Sequence, residues 1–457
     1  VDKRTIAVLG FGRTGQAVLA YLLAHEPRTP LLLFNDSEIL DLEKRRAFEF
    51  RGVRFLTGAA AFAELAGCQL VVMSPGFDGR QPRFAALRQA GSEVISEIEF
   101  ACRRLQARII AVSGSNGKST TVSLIQHLLT AGGMRSRLAG NIGTPLISEV
   151  DDIPPGSLAV LELSSFQLEE IDRFRPEVAV LLNITPDHLD RYPSMAEYSA
   201  AKFNLFRNQG PDDVMVLNAD DPLLRDAAKL GRGRPFWFSA SRPGINGAHI
   251  EGRDLILDMG GGPSETVSLL RNPLRGIHNL ENIMAAALAC RAVGLTAAAI
   301  ESGLAGFRGL PHRMEDAGRV GGVEFINDSK ATNVDAALKS IASIDGELVV
   351  ILGGKDKGGD FAALLEPLRQ RARRVLLLGK AAPLLAAQLA ELGDRLAFVR
   401  DLADAVATGY GALQACGGTV LLAPACASFD MFDNFEQRGE VFKAEVARLR
   451  EREHGHG

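Results

Sequence analysis

The chain has 457 residues, 46% of them hydrophobic and 23% charged, with a formal net charge of −4. At about 150 residues per domain that length predicts roughly three cores, and the composition is that of an ordinary globular protein. The charge balance gives no footprint for nucleic acid, and apolar runs such as Val178–Leu182 and Val375–Leu378 are far shorter than the roughly 20 residues a membrane helix needs, so neither partner is expected. The five cysteines (68, 102, 290, 416, 426) form no CxxC pair. Val1–Arg4 leads straight into a strand without an apolar signal segment, so a reducing cytoplasm is expected rather than disulfides or zinc.

Short β-branched or leucine-rich runs alternate with alanine-rich stretches from end to end. That alternation predicts an α/β protein of parallel sheets with crossover helices. The first set of strands, over residues 1–96, is Thr5–Leu9, Leu31–Phe34, Leu70–Met73 and about Val94–Ser96. Gly10-Phe11-Gly12-Arg13-Thr14-Gly15 follows the first strand, and Asp36 closes the second about 20 residues later. Read alone this is a dinucleotide fingerprint with Asp36 on a ribose hydroxyl, so a dehydrogenase competes. A UDP-sugar carries a diphosphate too, however, and nothing downstream resembles a hydride-transfer site.

The second set, over residues 97–309, opens with Ile109–Val112 and continues through Leu158–Leu161, Val178–Leu182 and Val214–Leu217. Its tail, from about Pro235 to Leu270, reads as a small antiparallel appendage. Strand Ile109–Val112 runs into Ser113-Gly114-Ser115-Asn116-Gly117-Lys118-Ser119-Thr120-Thr121, and a helix follows with Leu124, Ile125, Leu128 and Leu129 on one face. Glycines let backbone N–H groups converge on phosphates, and the helix start adds favourable dipole. Lys118 would reach the β- and γ-phosphates and Ser119 would ligate Mg²⁺. The loop is a G-x-x-G-K-S-T-T variant, because Val112 stands where the strict motif has glycine. Glu162, at the end of a parallel strand, is placed for Mg²⁺, with a helix-capping role as the plain alternative. His188 follows the next strand and could hold a second metal; a loop histidine is otherwise hydrogen-bonded, and Lys202 would otherwise be a solvated helix lysine. Asn279 and Asn282 are three apart and could read an adenine edge, or cap a helix.

The third set, over residues 310–457, holds Val323–Ile326, Leu348–Leu352, Val375–Leu378 and Val420–Leu422. The end, Glu453–Gly457, is expected to fray, its two histidines inert.

Taken together these segments resemble the Mur ligase family, over nearly the whole chain. The carriers are Gly114-Ser115-Asn116-Gly117-Lys118-Ser119, Glu162-Leu163-Ser164-Ser165-Phe166-Gln167 and Thr185-Pro186-Asp187-His188-Leu189-Asp190. Pro311-His312-Arg313-Met314-Glu315, Asn327-Asp328-Ser329-Lys330-Ala331-Thr332-Asn333 and Pro424-Ala425-Cys426-Ala427-Ser428-Phe429-Asp430 add the third domain. Asn434-Phe435-Glu436-Gln437-Arg438-Gly439 resembles the D-glutamate-adding branch.

The resemblance implies a Rossmann-like domain for a UDP-sugar, a central ATPase and a Rossmann-like C-terminal domain for the amino acid. It implies ATP and two Mg²⁺ ions, with UDP-N-acetylmuramoyl-L-alanine and D-glutamate as substrates in peptidoglycan precursor synthesis, and a monomer. By the same resemblance the loop Gly114, Ser115, Asn116, Gly117, Lys118, Ser119 and Thr120 holds the ATP phosphates. Asn279 and Asn282 lie by the adenine, and Arg313, Asp328 and Lys330 approach the nucleotide. Ser119 and Glu162 bind one ion and His188 the second, while Lys202 is the lysine that is carbamylated. Thr14, Asp36, Ser37, Ser74 and Gly76 contact the uridine diphosphate, and Asn141 lies near the muramoyl group. Thr332, Lys357, Ser428 and Phe435 line the glutamate pocket, with Lys355 an alternative to Lys357. Glu38 departs from the pattern, standing where an arginine can serve the pyrophosphate. The expected chemistry passes the γ-phosphate to the substrate carboxylate, and the D-glutamate amine then attacks the acyl phosphate. The rivals are a ligase of the same superfamily with another acceptor, including folate extension by glutamate, and a P-loop switch without ligase chemistry.

Overall fold

A computed structural model describes residues 4–39, 41–188, 191–272, 274 and 276–454. Val1–Lys3, Leu189 and Asp190 at the end of the Thr185–Asp190 motif, and the terminal Gly455–Gly457 lie outside the described residues. Three sheets carry the chain. The first, all parallel, is built from β1 (Ile6–Leu9), β2 (Leu31–Asn35), β3 (Val53–Thr57), β4 (Leu70–Met73) and β5 (Glu93–Ser96), in spatial order β3-β2-β1-β4-β5. The central strands β1 and β4 are buried at every position, as parallel strands covered on both faces must be.

The second sheet has nine strands: β6 (Arg108–Ser113), β7 (Ser136–Gly140), β8 (Leu158–Glu162), β9 (Val178–Leu181), β10 (Val214–Asn218), β11 (Arg234–Ser239), β12 (Gly247–Glu251), β13 (Asp254–Leu257) and β14 (Glu265–Ser268). Its order is β14-β13-β12-β11-β10-β9-β6-β8-β7. The appendage therefore extends the main sheet. Only β12–β14 pair antiparallel, whereas β11 and β12 are parallel neighbours in the register Trp237↔Gly247. Gly247 permits that approach, because a β-carbon there would stand 1.9 Å from the Trp237 carbonyl oxygen.

The third sheet contains β15 (Glu315–Val320), β16 (Val323–Asn327), β17 (Leu348–Gly353), β18 (Ala372–Leu378), β19 (Leu396–Phe398) and β20 (Gly418–Leu422), in order β15-β16-β20-β17-β18-β19. All its pairs are parallel except β15–β16. Apolar clusters cover both faces, one around Ile341, Val350, Phe361 and Leu385, the other around Phe325, Val349, Val406 and Phe442.

The chain divides into two compact units. One comprises Val1–Ile184, Ser194–Arg271 and Asn282–Ala305; the other comprises Thr185–Pro193, Asn272–Glu281 and Gly306–Gly457. No described helix is long and apolar enough to cross a membrane.

Candidate active site

The first unit holds the predicted phosphate loop. It leaves the C-terminal end of β6, where crevices form beside open parallel sheets, and enters the helix Lys118–Ala131. Gly117 is the cap of that helix, with φ +87°. A β-carbon there would lie 2.4 Å from Asn282 Oδ1, so the loop is pressed against this asparagine. The Thr121 hydroxyl stands 3.1 Å from the same Oδ1 and 3.0 Å from the Gly117 carbonyl. Asn116 N–H donates to Asn183 Oδ1 at 2.8 Å, and Ser115 Oγ lies 3.0 Å from the Tyr198 hydroxyl. Lys118 Nζ donates to the carbonyls of Gly114 and Ser115, both at 2.8 Å, which curls the side chain back over its own loop. Ser119 and Thr120 are buried at the start of the helix.

One further predicted residue meets the loop, and another stands on the strand beside β6. Lys202, on the helix Met195–Phe203, is buried and donates to the Gly114 carbonyl at 2.8 Å; its ammonium stands 4.7 Å from the centre of the Tyr198 ring. It is therefore no solvated helix lysine. Glu162 ends β8, which pairs with β6 so that Val112 faces Glu162. One of its carboxylate oxygens, Oε1, accepts from Asn141 Nδ2 at 2.8 Å. The other, Oε2, is buried and has no hydrogen-bond partner. Helix capping falls instead to Ser164 and Gln167, which form a reciprocal box.

The residues expected on the uridine side lie at the ends of β1, β2 and β4. Gly15 packs its helix on β1 so closely that a β-carbon would stand 1.8 Å from the Gly10 carbonyl oxygen, whereas Gly12 faces open space. Thr14 lies in the first turn of the helix Arg13–His25. The Ser74 hydroxyl beside Gly10 is buried without a hydrogen-bond partner, and Gly76 is exposed. Asp36 and Ser37 follow β2, and Asp36 is held by Arg83 through Nη1···Oδ1 and Nη2···Oδ2 at 2.6 and 2.9 Å. The Arg83 hydrogen bonds hold the Asp36 carboxyl below its ordinary range.

The second unit carries the other predicted residues. His188 has a positive φ of +54°, and its backbone N–H donates to Asp187 Oδ1 at 2.9 Å. Asn279 lies in the first turn of the helix Ile277–Ala292. Asp328 follows β16 and is buried. Burial pushes its carboxyl up, while Ser340, Arg313 and Met314 N–H pull the other way. Lys330 Nζ stands 3.8 Å from the centre of the Phe435 ring, so Phe435 presents a face to a cation.

Thr332, Lys357 and Ser428 hang from the loops that follow β16, β17 and β20, three neighbouring parallel strands. Ser428 is buried and Lys357 exposed. Lys355 is exposed as well, and its backbone pairs with Ala427 through N–H···O bonds of 2.8 and 3.0 Å. Beneath these loops lies a group the sequence did not reveal. Arg438 is only 1% exposed and donates to Ser329 Oγ (2.9 Å), Ser329 O (2.8 Å) and Cys426 O (3.1 and 3.2 Å). Burial pulls its guanidinium down to about 10, so it remains a cation at neutral pH. Its spacing offered no signal beyond the Asn434–Gly439 motif.

Comparison with known proteins places this geometry. The description "Mur ligase MurD-like, N-terminal domain" matches residues 4–96, "Mur ligase middle domain" matches 112–290, and "Mur ligase, glutamate ligase domain" matches 312–426. A UDP-N-acetylmuramoylalanine–D-glutamate ligase of Acidobacterium capsulatum is 40% identical over 453 residues, covering 96% of this chain and 95% of that protein. The chain belongs to the Mur ligase family. A like-named ligase of Geobacter metallireducens is 40% identical, covering 98% of both chains. Among solved structures, this Mur ligase shares its fold with a pseudomurein peptide ligase of Methanothermus fervidus, at a TM-score of 0.62 and 18% identity, covering 98% of this chain and 100% of that one. It also matches the MurF ligase of Thermotoga maritima in complex with ADP, at 0.61 and 16% identity, covering 98% and 96%.

Proposed function

We propose that the protein is the ATP-dependent ligase that joins D-glutamate to UDP-N-acetylmuramoyl-L-alanine, acting in the cytoplasm in peptidoglycan precursor synthesis. The observation that carries the ATP chemistry is the juxtaposition of the Gly114–Thr120 loop with the buried Lys202 and with Glu162, one of whose oxygens is unsatisfied. A full-length likeness to proteins named for this reaction supports the choice of amino acid. The three domains are taken as residues 1–96, 97–309 and 310–457.

Glu162 Oε2 is a buried anionic oxygen without a donor, which suits a hard cation. Among the described residues no group of three or more metal-ligating side chains occurs. Mg²⁺ is commonly bound through one or two carboxylates, substrate phosphates and water. Glu162 and Ser119 would hold the ion, which when bound neutralises charge on the transferred phosphoryl group. A second ion is proposed from the family resemblance alone, with His188 as ligand and Lys202 as its carbamate. Carbamate formation joins the neutral Lys202 amine to CO₂ with loss of a proton, turning the side chain into an oxygen ligand.

In the proposed reaction the loop N–H groups and Lys118 grip the β- and γ-phosphates, and Asn279 and Asn282 serve the adenine side. By the family resemblance Arg313, Asp328 and Lys330 are nucleotide residues as well. The substrate carboxylate attacks the γ-phosphorus, ADP leaves and an acyl phosphate forms. The neutral amine of D-glutamate then adds to the acyl carbon, and the tetrahedral adduct expels phosphate to leave the amide. Thr14, Asp36, Ser37, Ser74 and Gly76 hold the uridine diphosphate and Asn141 the muramoyl side. Thr332, Lys357, Ser428 and Phe435 hold D-glutamate, with Arg438 bracing the loops after β16 and β20 through Ser329 and Cys426 and adding positive potential for a dicarboxylate. Phosphate release measured with UDP-N-acetylmuramoyl-L-alanine and a panel of amino acids tests this. Release should require D-glutamate; equal release with other amino acids, or with none, would refute it.

A further inference from the structure

The acidic segment after β2 needs a cation. Asp36 follows β2 beside the crevice where a uridine diphosphate is proposed to bind, and Asp36-Ser37-Glu38 has two acidic residues and no positive charge of its own. The structure supplies one from elsewhere in the chain. Arg83 stands on the helix Pro82–Gln89, which follows β4, and its guanidinium reaches Asp36, which follows β2. These two strands flank β1, whose end carries the Gly10–Gly15 loop. The pair therefore spans the two sides of the place where the strand order reverses, the location at which doubly wound sheets bind nucleotides.

The guanidinium is seated with unusual care for an ion pair near the surface. Its carbon lies 4.7 Å from the centre of the Phe62 ring, 5.3 Å from Phe84, 5.8 Å from Phe77 and 6.0 Å from Phe34. Four rings surround it, and a planar guanidinium packs among aromatic faces in a way that lysine cannot. Nε is buried without a partner, so the side chain's hydrogen bonding is given to the fork that meets Asp36. The charges of a partly exposed pair of this type add little to stability, so the ion pair by itself does not account for the seat. A carboxylate has about four lone-pair positions, and Arg83 is the only hydrogen-bond donor to Asp36 among the described residues. The remaining positions on the half-exposed carboxylate stay available to donors from a ligand.

We propose that Arg83 is a positioning residue of the uridine diphosphate subsite, fixing Asp36 as the acceptor for the nucleoside's donors and offsetting the negative charge of Asp36 and Glu38. The inference rests on the substrate reading above. It goes beyond it by assigning to the helix after β4 the cation that the segment after β2 lacks.

Calorimetric titration with UDP, on the wild type and on Arg83→Lys, Arg83→Met and Asp36→Asn, tests it. Arg83→Met keeps an apolar stem among the rings, which protects folding, and a melting curve checks this. Each variant should bind UDP about tenfold or more weakly, since a charged, bidentate contact is lost. Arg83→Lys should fail nearly as badly as Arg83→Met, because a point charge cannot replace the fork. KM for the UDP-linked substrate should rise in step, with kcat and KM for ATP and D-glutamate unchanged. UDP binding within twofold of wild type in Arg83→Met would overturn the proposal. So would a loss shared by kcat and every KM together with a lowered melting temperature. Wild-type phosphate release with the complete substrate set reports on the ligase reading separately, so the two failures remain distinct.

Discussion

Glu97→Gln should stabilise the protein above neutral pH. Glu97 opens the helix Glu97–Cys102, is 2% exposed, and has one hydrogen bond, in which Ile147 N–H donates to Oε1 at 3.0 Å. Burial raises its carboxyl from the ordinary 4.5 to about 7, and the Ile147 bond only partly opposes this. The folded chain thus holds this proton more tightly than the unfolded one. Between about 4.5 and 7 the folded state carries more bound protons, so stability falls as pH rises through that window and levels off above it. The size of the displacement corresponds to about 3 kcal/mol at pH 8. Glutamine keeps the acceptor for Ile147 and has no charge to bury. The single tryptophan, Trp237, lies in the same unit and reports its unfolding by fluorescence during urea titration. The variant should exceed the wild type by up to about 3 kcal/mol at pH 8, and the difference should shrink towards zero near pH 4.5. Glu170, which lines the same small cavity and is also raised by burial against Arg88, is present in both proteins and cancels in the comparison. A difference that is absent at pH 8, or equal at pH 5 and pH 8, would refute the argument.

The remaining expectations concern turnover. Lys118→Ala should lose about 10²-fold or more of phosphate release, because the transferred group's charge is left unbalanced; near-normal release would sink the loop assignment. Lys202→Ala should be nearly inactive and partly restored by formate, which can return a carboxylate to the space of a carbamate. Lack of rescue, with an unmodified lysine beside bound metal in a crystal structure, would make Lys202 structural. Lys357→Ala should raise KM for D-glutamate about tenfold or more with little change for ATP, since a pocket built for a carboxylate is left unpaired. The opposite pattern would move Lys357 to the nucleotide and Lys355 to the glutamate.

What the sequence disclosed and what it hid follow from where each residue sits. Buried central strands are near-continuous apolar runs, and Leu70–Met73 was legible to the residue. The strands left unread are β3, β7, β15 and β19, and every one is an edge strand. An edge is covered less, so β3 reads Val-Arg-Phe-Leu-Thr and β15 reads Glu-Asp-Ala-Gly-Arg-Val, patterns that local composition does not separate from loop. The Gly114–Thr120 loop was readable as a candidate phosphate site because its glycines, lysine and hydroxyls are consecutive in the sequence.

Arg83 and Arg438 were not, for the opposite reason. Arg83 meets a carboxylate 47 positions away, and Arg438 meets Ser329 at a separation of 109. Neither partner lies at a helical or strand spacing, so only the sheet order brings them together. Lys202 lies between these cases. It occupies an ordinary helix, and its meaning comes from the Gly114 carbonyl 88 positions earlier, reached because β6 and the helix Met195–Phe203 belong to one unit. Residues grouped in one contiguous segment are therefore visible in a single chain, whereas residues that orient another group become visible only when topology supplies the partner. Arg83 and Arg438 are both of the second kind, and both stand behind residues proposed to touch a substrate. Changes at them should alter recognition of one substrate, uridine diphosphate or D-glutamate, ahead of the phosphoryl-transfer step proposed for Lys118.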